Sequence, residues 1–291
     1  MVDYNPKNWF KFIFAIHKGD TLQLLWKEMV SIAALSIFIA YCQIHFFPDA
    51  FHLQHLDKVY SLVGFVISLL LVFRTNTAYD RWYEGRKKWG EFVNDSRNLA
   101  VKLAGILKDS SDRAYFERMI PNFVIASKDH LNEGVEFQNL TLSPEETTFL
   151  KERKHLPSAL AQMLYQQLLQ LKSQGKITEM EMLMLDHNLN HFLDSLGACE
   201  RIKKTPIPYS YSLFFKKFIF IFVSTIPLAF VYEFGYYSAI ISTLIFYVLV
   251  SMEVLAEEIE DPFGNDVNDL PTERISAEIK NNVQEIFGKN S

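Results

Sequence analysis

On a helix, Phe65, Leu69, Phe73, Asn76 or Thr77, Asp80 and Glu84 follow one another at spacings of three or four, which keeps them on one face. The stripe passes from bulky apolar groups through amide and hydroxyl groups to carboxylates. If several copies of such a helix surrounded an axis, these side chains would form stacked rings: a greasy constriction, then a polar and acidic mouth. Hydrophobic constrictions gate by excluding water, and rings of carboxylates concentrate cations. The same pattern also fits a helix that packs its apolar face in a bundle core, with Asp80 and Glu84 paired to Arg81, Lys87 or Lys88 at the surface. Periodicity does not choose between the two.

Other chemistry-bearing groups are sparser. Glu253, Glu257 and Glu260 share a helical face at the end of an apolar run, and carboxylates placed there need partners; Arg74 and Arg81 are the cations expected to pair with them. His187 and His191 stand four apart with Asp194 one turn on, a spacing that could hold a metal, but no HExxH-like pattern accompanies them and a solvated helix face is the plainer reading. His52 and His55 could sense pH in a loop. Cys42 and Cys199, the two cysteines, build neither a disulfide framework nor a zinc cluster. No nucleophile arrangement is evident, so neither an enzyme nor a cofactor is expected.

These groups need elements to carry them. Of 291 residues, 49% are hydrophobic and 14% aromatic, with 25 Phe, yet 22% are charged, so membrane and water-exposed parts must coexist. A net charge of -5 gives no basic footprint, and no nucleic-acid partner is expected. A bilayer-crossing helix needs roughly 20 mostly apolar residues. Four segments fit or nearly fit: Met29 to Phe47, Val59 to Phe73, Leu213 to Tyr232 and Tyr236 to Leu255, the second being short unless its helix continues. Lys and Arg flank the ends away from the connections Pro48 to Lys58 and Val231 to Ser238, which places both termini and the middle segment in the cytoplasm. The N-terminal sequence has no apolar core followed by a cleavage site, so no cleaved signal is expected. Phe10 to Ile16 reads as a short amphipathic piece at the membrane surface.

The middle segment is polar, proline-poor and helically periodic. Ser111 or Asp112 can start one helix, and Ser143 before Pro144, Glu145 and Glu146 starts another. Pro157 opens a Leu/Gln-rich helix that stops at Gly175, and Thr178 with Glu181 forms a capping-box pattern for a long helix to about Lys203. Thr205 to Pro208 breaks it, and Thr272 caps a terminal helix ending at Gly288. Asn139-Leu140-Thr141 matches a glycosylation sequon, inert if cytoplasmic. The expected fold is an all-α membrane protein of four transmembrane helices with a helical cytoplasmic domain. Its parts are a cytoplasmic N-terminal segment (1–28), spans 1 and 2 (29–73), the helical domain (74–212), spans 3 and 4 (213–255) and a cytoplasmic C-terminal segment (256–291).

Three motifs, FRTNTAYDRWYEGRKKWG (Phe73 to Gly90), GACERIKKTPIP (Gly197 to Pro208) and EEIEDPFGNDVNDLP (Glu257 to Pro271), together make the chain resemble a bacterial bestrophin homologue over nearly its whole length. The resemblance implies a homopentameric ion channel in a lipid bilayer, the bacterial inner membrane for a bacterial protein. A single axial pore would pass small monovalent ions (Na+, K+ or Cl-). It further implies a hydrophobic neck at Phe65, Leu69 and Phe73 and a cytoplasmic aperture at Met180. The resemblance leaves the ion open, since bestrophins of animals are similar to calcium-activated chloride channels while bacterial relatives include a cation-conducting one. Asp80, Glu84, Glu179 and Glu181 near the implied path, with Asn76, tilt the expectation toward cations. An anion (chloride) channel of the same fold is the alternative, followed by a non-conducting scaffold or receptor and a membrane-embedded enzyme. The acidic run that matches the animal calcium site is here Asn265, Asp266, Val267, Asn268, Asp269. Calcium prefers six to eight oxygens with several carboxylates, so this run, with Asp266 and Asp269 as remnants, reads as a structural dock.

Overall fold

Long apolar runs without glycine or proline pairs to stop them become long helices. The computed structural model describes residues 21–47, 56–132 and 134–288. Among these residues there is no strand, and the α-helices are α1 (Thr21–Phe46), α2 (Leu56–Ile106), α3 (Ser110–Leu131), α4 (Pro144–Lys151), α5 (Leu156–Ser173), α6 (Glu179–Lys204), α7 (Tyr209–Phe234), α8 (Ser238–Glu260) and α9 (Thr272–Gly288). The helix of the second span does not end at Phe73. Nothing in Arg74 to Gly90 terminates a helix, and α2 runs for 51 residues. Among the described residues, three helical stretches are long and apolar enough to cross a membrane: α1, α2 and Tyr209–Glu260. A 3-10 turn at Gly235–Tyr237 divides the last of these into α7 and α8. Gly235 permits that turn, because its φ of 53° with ψ of -132° is strained for any side chain. The piece at Phe10 to Ile16 and the loop with His52 and His55 lie outside the described residues.

The chain divides into two compact units. The first takes the described residues up to Arg81, with Pro206–Glu260 and Asp266–Asn268. Here α1 packs against both α7 and α8, which pack on each other. Ile32 of α1, Ile67 and Leu71 of α2, Phe215 and Val223 of α7 and Phe246 of α8 share one apolar core. Pro227 lies inside α7 and has no N–H to give the carbonyl of Val223 four residues back. The hydroxyl of Ser242 on α8 donates to that carbonyl at 2.9 Å. In lipid, where no water can serve, a freed backbone acceptor needs such a partner.

The second unit takes Trp82–Thr205, Asp261–Asn265 and the described residues from Asp269 onward. Its core is aromatic at the centre: Phe123 of α3 stacks on Phe192 of α6 (4.9 Å between ring centroids, 7° between planes), and Phe92 of α2 meets both edge-on. Helix α3 packs on α5 and on α9, and α5 packs on α6. Ser276, Ile279, Val283 and Phe287 make the buried face of α9 at helical spacing. Helices α4 and α6 begin at capping boxes, Ser143 with Glu146 and Thr178 with Glu181. Helix α3 begins at Ser110, one or two residues before the expected Ser111 or Asp112, with Asp109 at the N-cap making no side-chain cap bond. The reason is Lys176, whose ammonium draws both carboxylates, Asp109 at 2.6 Å and Asp112 at 2.5 Å. Gly85 of α2 lies against the chain at Pro262 and Phe263; a Cβ there would come within 3.0 Å of the Phe263 ring. Lys203 to Asp261 (2.6 Å) and Asn132 to Asn265 (2.9 Å) fasten the same segment.

Candidate functional site

Helix α2 has two opposed faces. Ile67, Leu71, Arg74 and Ala78 are buried, and the stripe continues through Gly85, Trp89, Phe92, Ser96, Leu99 and Leu103 at helical spacing. Opposite it, Phe65, Leu69 and Phe73 are 67%, 45% and 55% exposed, and Asn76, Thr77 and Asp80 are exposed after them. The Thr77 hydroxyl turns back on its own helix and donates to the Phe73 carbonyl at 2.9 Å. The bundle-core reading of the stripe therefore fails within this chain: the core takes the other face. Glu84 is half-buried and paired with Arg201, so its carboxylate is already matched by a guanidinium.

An ionic cluster holds the buried side of α2. Arg74 is fully buried, with Nη2 donating to Glu260 Oε2 at 2.7 Å and Nε lying 3.7 Å from Glu253 Oε2. The other oxygen of Glu260 accepts from the Ile207 backbone N–H at 2.6 Å, and its carbonyl accepts from Arg81 Nε at 3.0 Å. One carboxylate thus ties α2 to α8 and to the start of α7. Glu257 does not join this cluster. It stands half-exposed and takes Lys216 of the adjacent α7, at 2.7 and 2.9 Å.

Met180 is 68% exposed in the first turn of α6. Both acids beside it have partners. Glu181 accepts from the Thr178 N–H (2.8 Å) and hydroxyl (2.7 Å), and the backbone bond holds its carboxyl below the usual range. Glu179 lies 3.4 Å from Lys172. Asp269 is buried and Asp266 is exposed, and among the described residues neither belongs to a group of three metal-ligating side chains. His187 and His191 bring their rings within 4.1 Å, but His191 faces Asp95 (3.6 Å) and Asp194 does not complete a set.

Sequence reasoning missed a different group: His130, His155 and Glu200, whose ligand atoms lie within 4.8 Å of one another. Both Nε2 atoms meet Glu200 Oε1, at 2.6 and 2.7 Å. Burial raises the Glu200 carboxyl, but the hydrogen bonds from His155 and His130 and the charge of Lys204 outweigh it and hold the group below its usual value. No local motif could have signalled this set, because its members come from three separate elements.

A strand-free bundle of long apolar helices with a polar helical unit defines a membrane protein of all-α class. The sequence model of the family described as Bacterial/Fungal Bestrophin protein matches residues 1–285, and the chain belongs to that family. It is 31% identical to the voltage-dependent anion channel-forming protein alr2987 of Nostoc sp. over 96% of this chain and 92% of that one. It is 29% identical to the voltage-dependent anion channel-forming protein YneE of Escherichia coli K12, again over 96% and 92%. The crystal structure of a bacterial bestrophin homologue from Klebsiella pneumoniae superposes with a TM-score of 0.85 at 25% identity, covering 92% of this chain and all of that one.

The relatives' names point to anions and remove support for the cation preference. Structure weakens it too: of the four acids on which it rested, Glu84, Glu179 and Glu181 are engaged by Arg201, Lys172 and the α6 cap.

Proposed function

We propose that this chain is an ion channel: five copies surround one axis in the bilayer, and the outward face of α2 lines a pore for small anions such as chloride. The observation that carries the reading is the exposure of Phe65, Leu69 and Phe73 at successive turns, on a helix whose opposite face is already occupied. Exposed aromatic groups on a membrane helix can face lipid. Here, however, the stripe runs on into Asn76, Thr77 and Asp80, which lipid would not solvate. Family membership and the anion-channel names of the relatives support the same reading. In it, Phe65, Leu69 and Phe73 form a dewetting neck. Met180 forms a second constriction, and the chain crosses the membrane four times with both termini in the cytoplasm. Asn76 and Asp80 stand at the mouth. Arg74, Arg81, Glu253 and Glu260 serve as structure, holding the helix that carries the neck.

Two measurements test it. Native mass spectrometry in detergent should give a particle of five chains, and a monomer would defeat the proposal. In a planar bilayer with asymmetric NaCl, the reversal potential should take the sign of the chloride equilibrium potential; the sodium sign would overturn the choice of ion.

A further inference from the structure

Within the helical unit formed mainly by Trp82–Thr205, three helix ends bring together groups that the ion pathway does not use. His130 stands in the last turn of α3, His155 is the N-cap of α5, and Glu200 lies in the penultimate turn of α6. The imidazole rings meet edge to face at 4.5 Å, and both direct Nε2 at the same carboxylate oxygen. All three side chains are half-buried, sheltered enough to be ordered and open enough for an ion to enter.

We propose that His130 Nε2, His155 Nε2 and the Glu200 carboxylate form a binding site for a divalent transition metal of the zinc type, with a fourth position left to solvent. Two imidazoles and a carboxylate are a donor set that zinc accepts, whereas calcium and magnesium require oxygens. Bonds of about 2.0–2.2 Å in a tetrahedron place ligand atoms about 3.3 Å apart. Binding therefore needs each histidine nitrogen, now at 2.6 and 2.7 Å, to withdraw from Glu200 Oε1 by about 0.6–0.7 Å, which side-chain rotation supplies.

The proton count gives the site a distinctive consequence. His155 Nδ1 accepts a hydrogen bond from the Ser158 N–H at 3.2 Å, so in the neutral ring the proton sits on Nε2 and is donated to Glu200. Metal at Nε2 moves that proton to Nδ1, and the Ser158 bond is lost. Metal binding and the cap of α5 thus exclude one another. Lys204 lies 3.6 Å from the same oxygen and must swing away, which its exposed side chain allows. Neighbouring Cys199 is not a ligand: it is fully buried in the core and lies outside the group formed by the two histidines and Glu200.

The test uses the full-length protein without a histidine tag, stripped with chelator and titrated with ZnCl2 by calorimetry and with CoCl2 by absorption. The expected result is one ion per chain and cobalt bands of tetrahedral intensity. His130→Gln and His155→Gln should each weaken zinc by at least about tenfold, while a His187→Ala/His191→Ala double variant leaves it unchanged. Amide exchange at Ser158 should rise when zinc is added. The proposal is overturned by no saturable binding at millimolar zinc, or by binding that survives His130→Gln and vanishes in the His187/His191 variant. If the glutamine variants fail to fold, the wild-type cobalt spectrum decides, and weak octahedral bands alone would overturn it.

Discussion

Arg74 is the residue on which most of the membrane unit's electrostatics converge. Its guanidinium has no exposure, so its charge is stable only because Glu260 and Glu253 lie beside it. Removing one partner from a buried ion pair costs roughly 3–5 kcal/mol, because the remaining charge stays buried. Arg74→Gln should therefore lower the melting temperature in detergent far more than Lys216→Gln, which removes only the half-exposed partner of Glu257. Equal shifts would refute the distinction. The sequence left Arg74 and Arg81 open as partners of these carboxylates, because an apolar run leaves a carboxylate few cations to meet; packing sets Arg74 beside Glu253 and Glu260. The attachment of Glu257 to Lys216 was not legible, since it depends on how α7 and α8 face each other. For the same reason Glu84 looked available: Arg201, its partner, is far along the chain. The use of Glu181 in a cap could be read locally, because a capping box spans four residues.

Helix starts show the same contrast. Ser143 and Thr178 cap where local pattern placed them, while Asp109 gives its carboxylate to Lys176 instead of to the helix. At α4 the cap also carries a pH dependence. Burial raises the Glu146 carboxyl, but the hydrogen bonds from Arg118 and the Ser143 N–H, with the Arg118 charge, outweigh it and hold the group below its ordinary 4.5. A carboxyl depressed in the folded state stabilises fully above its unfolded value, and the contribution fades as pH falls through the folded value. Glu146→Gln should cost on the order of 1–2 kcal/mol at pH 7. In thermal melts the gap to the wild type should narrow below about pH 4.5; a gap independent of pH would contradict this assignment. Elements of this length were easy to place from periodicity. The end of the helix that begins at Leu56 was not, because an apolar scan stops where charge begins, although a helix does not.

For the assembled molecule, the proposed neck makes a direct prediction. If these side chains line the pore, replacing Phe65, Leu69 and Phe73 together with alanine should widen and wet the constriction. Single-channel conductance or open probability should rise several-fold, with the fold intact because the buried face of α2 is untouched. Unchanged currents would move the pore away from this stripe. The fold class was legible throughout the sequence, since apolar runs and capping patterns are local; the cluster of His130, His155 and Glu200 was not, since only tertiary packing assembles it. The unbroken 51 residues of α2 carry one last consequence. Each helical residue advances the phase by about 100°, so the buried positions of α2 before Phe73 and after Gly85 keep their spacing along the helix only while that stretch keeps its length. Substitutions between Phe73 and Gly85 can keep that spacing, but inserting or deleting one residue there turns one buried stripe toward solvent or lipid. The frame of this junction should therefore tolerate changes of side chain and refuse changes of length.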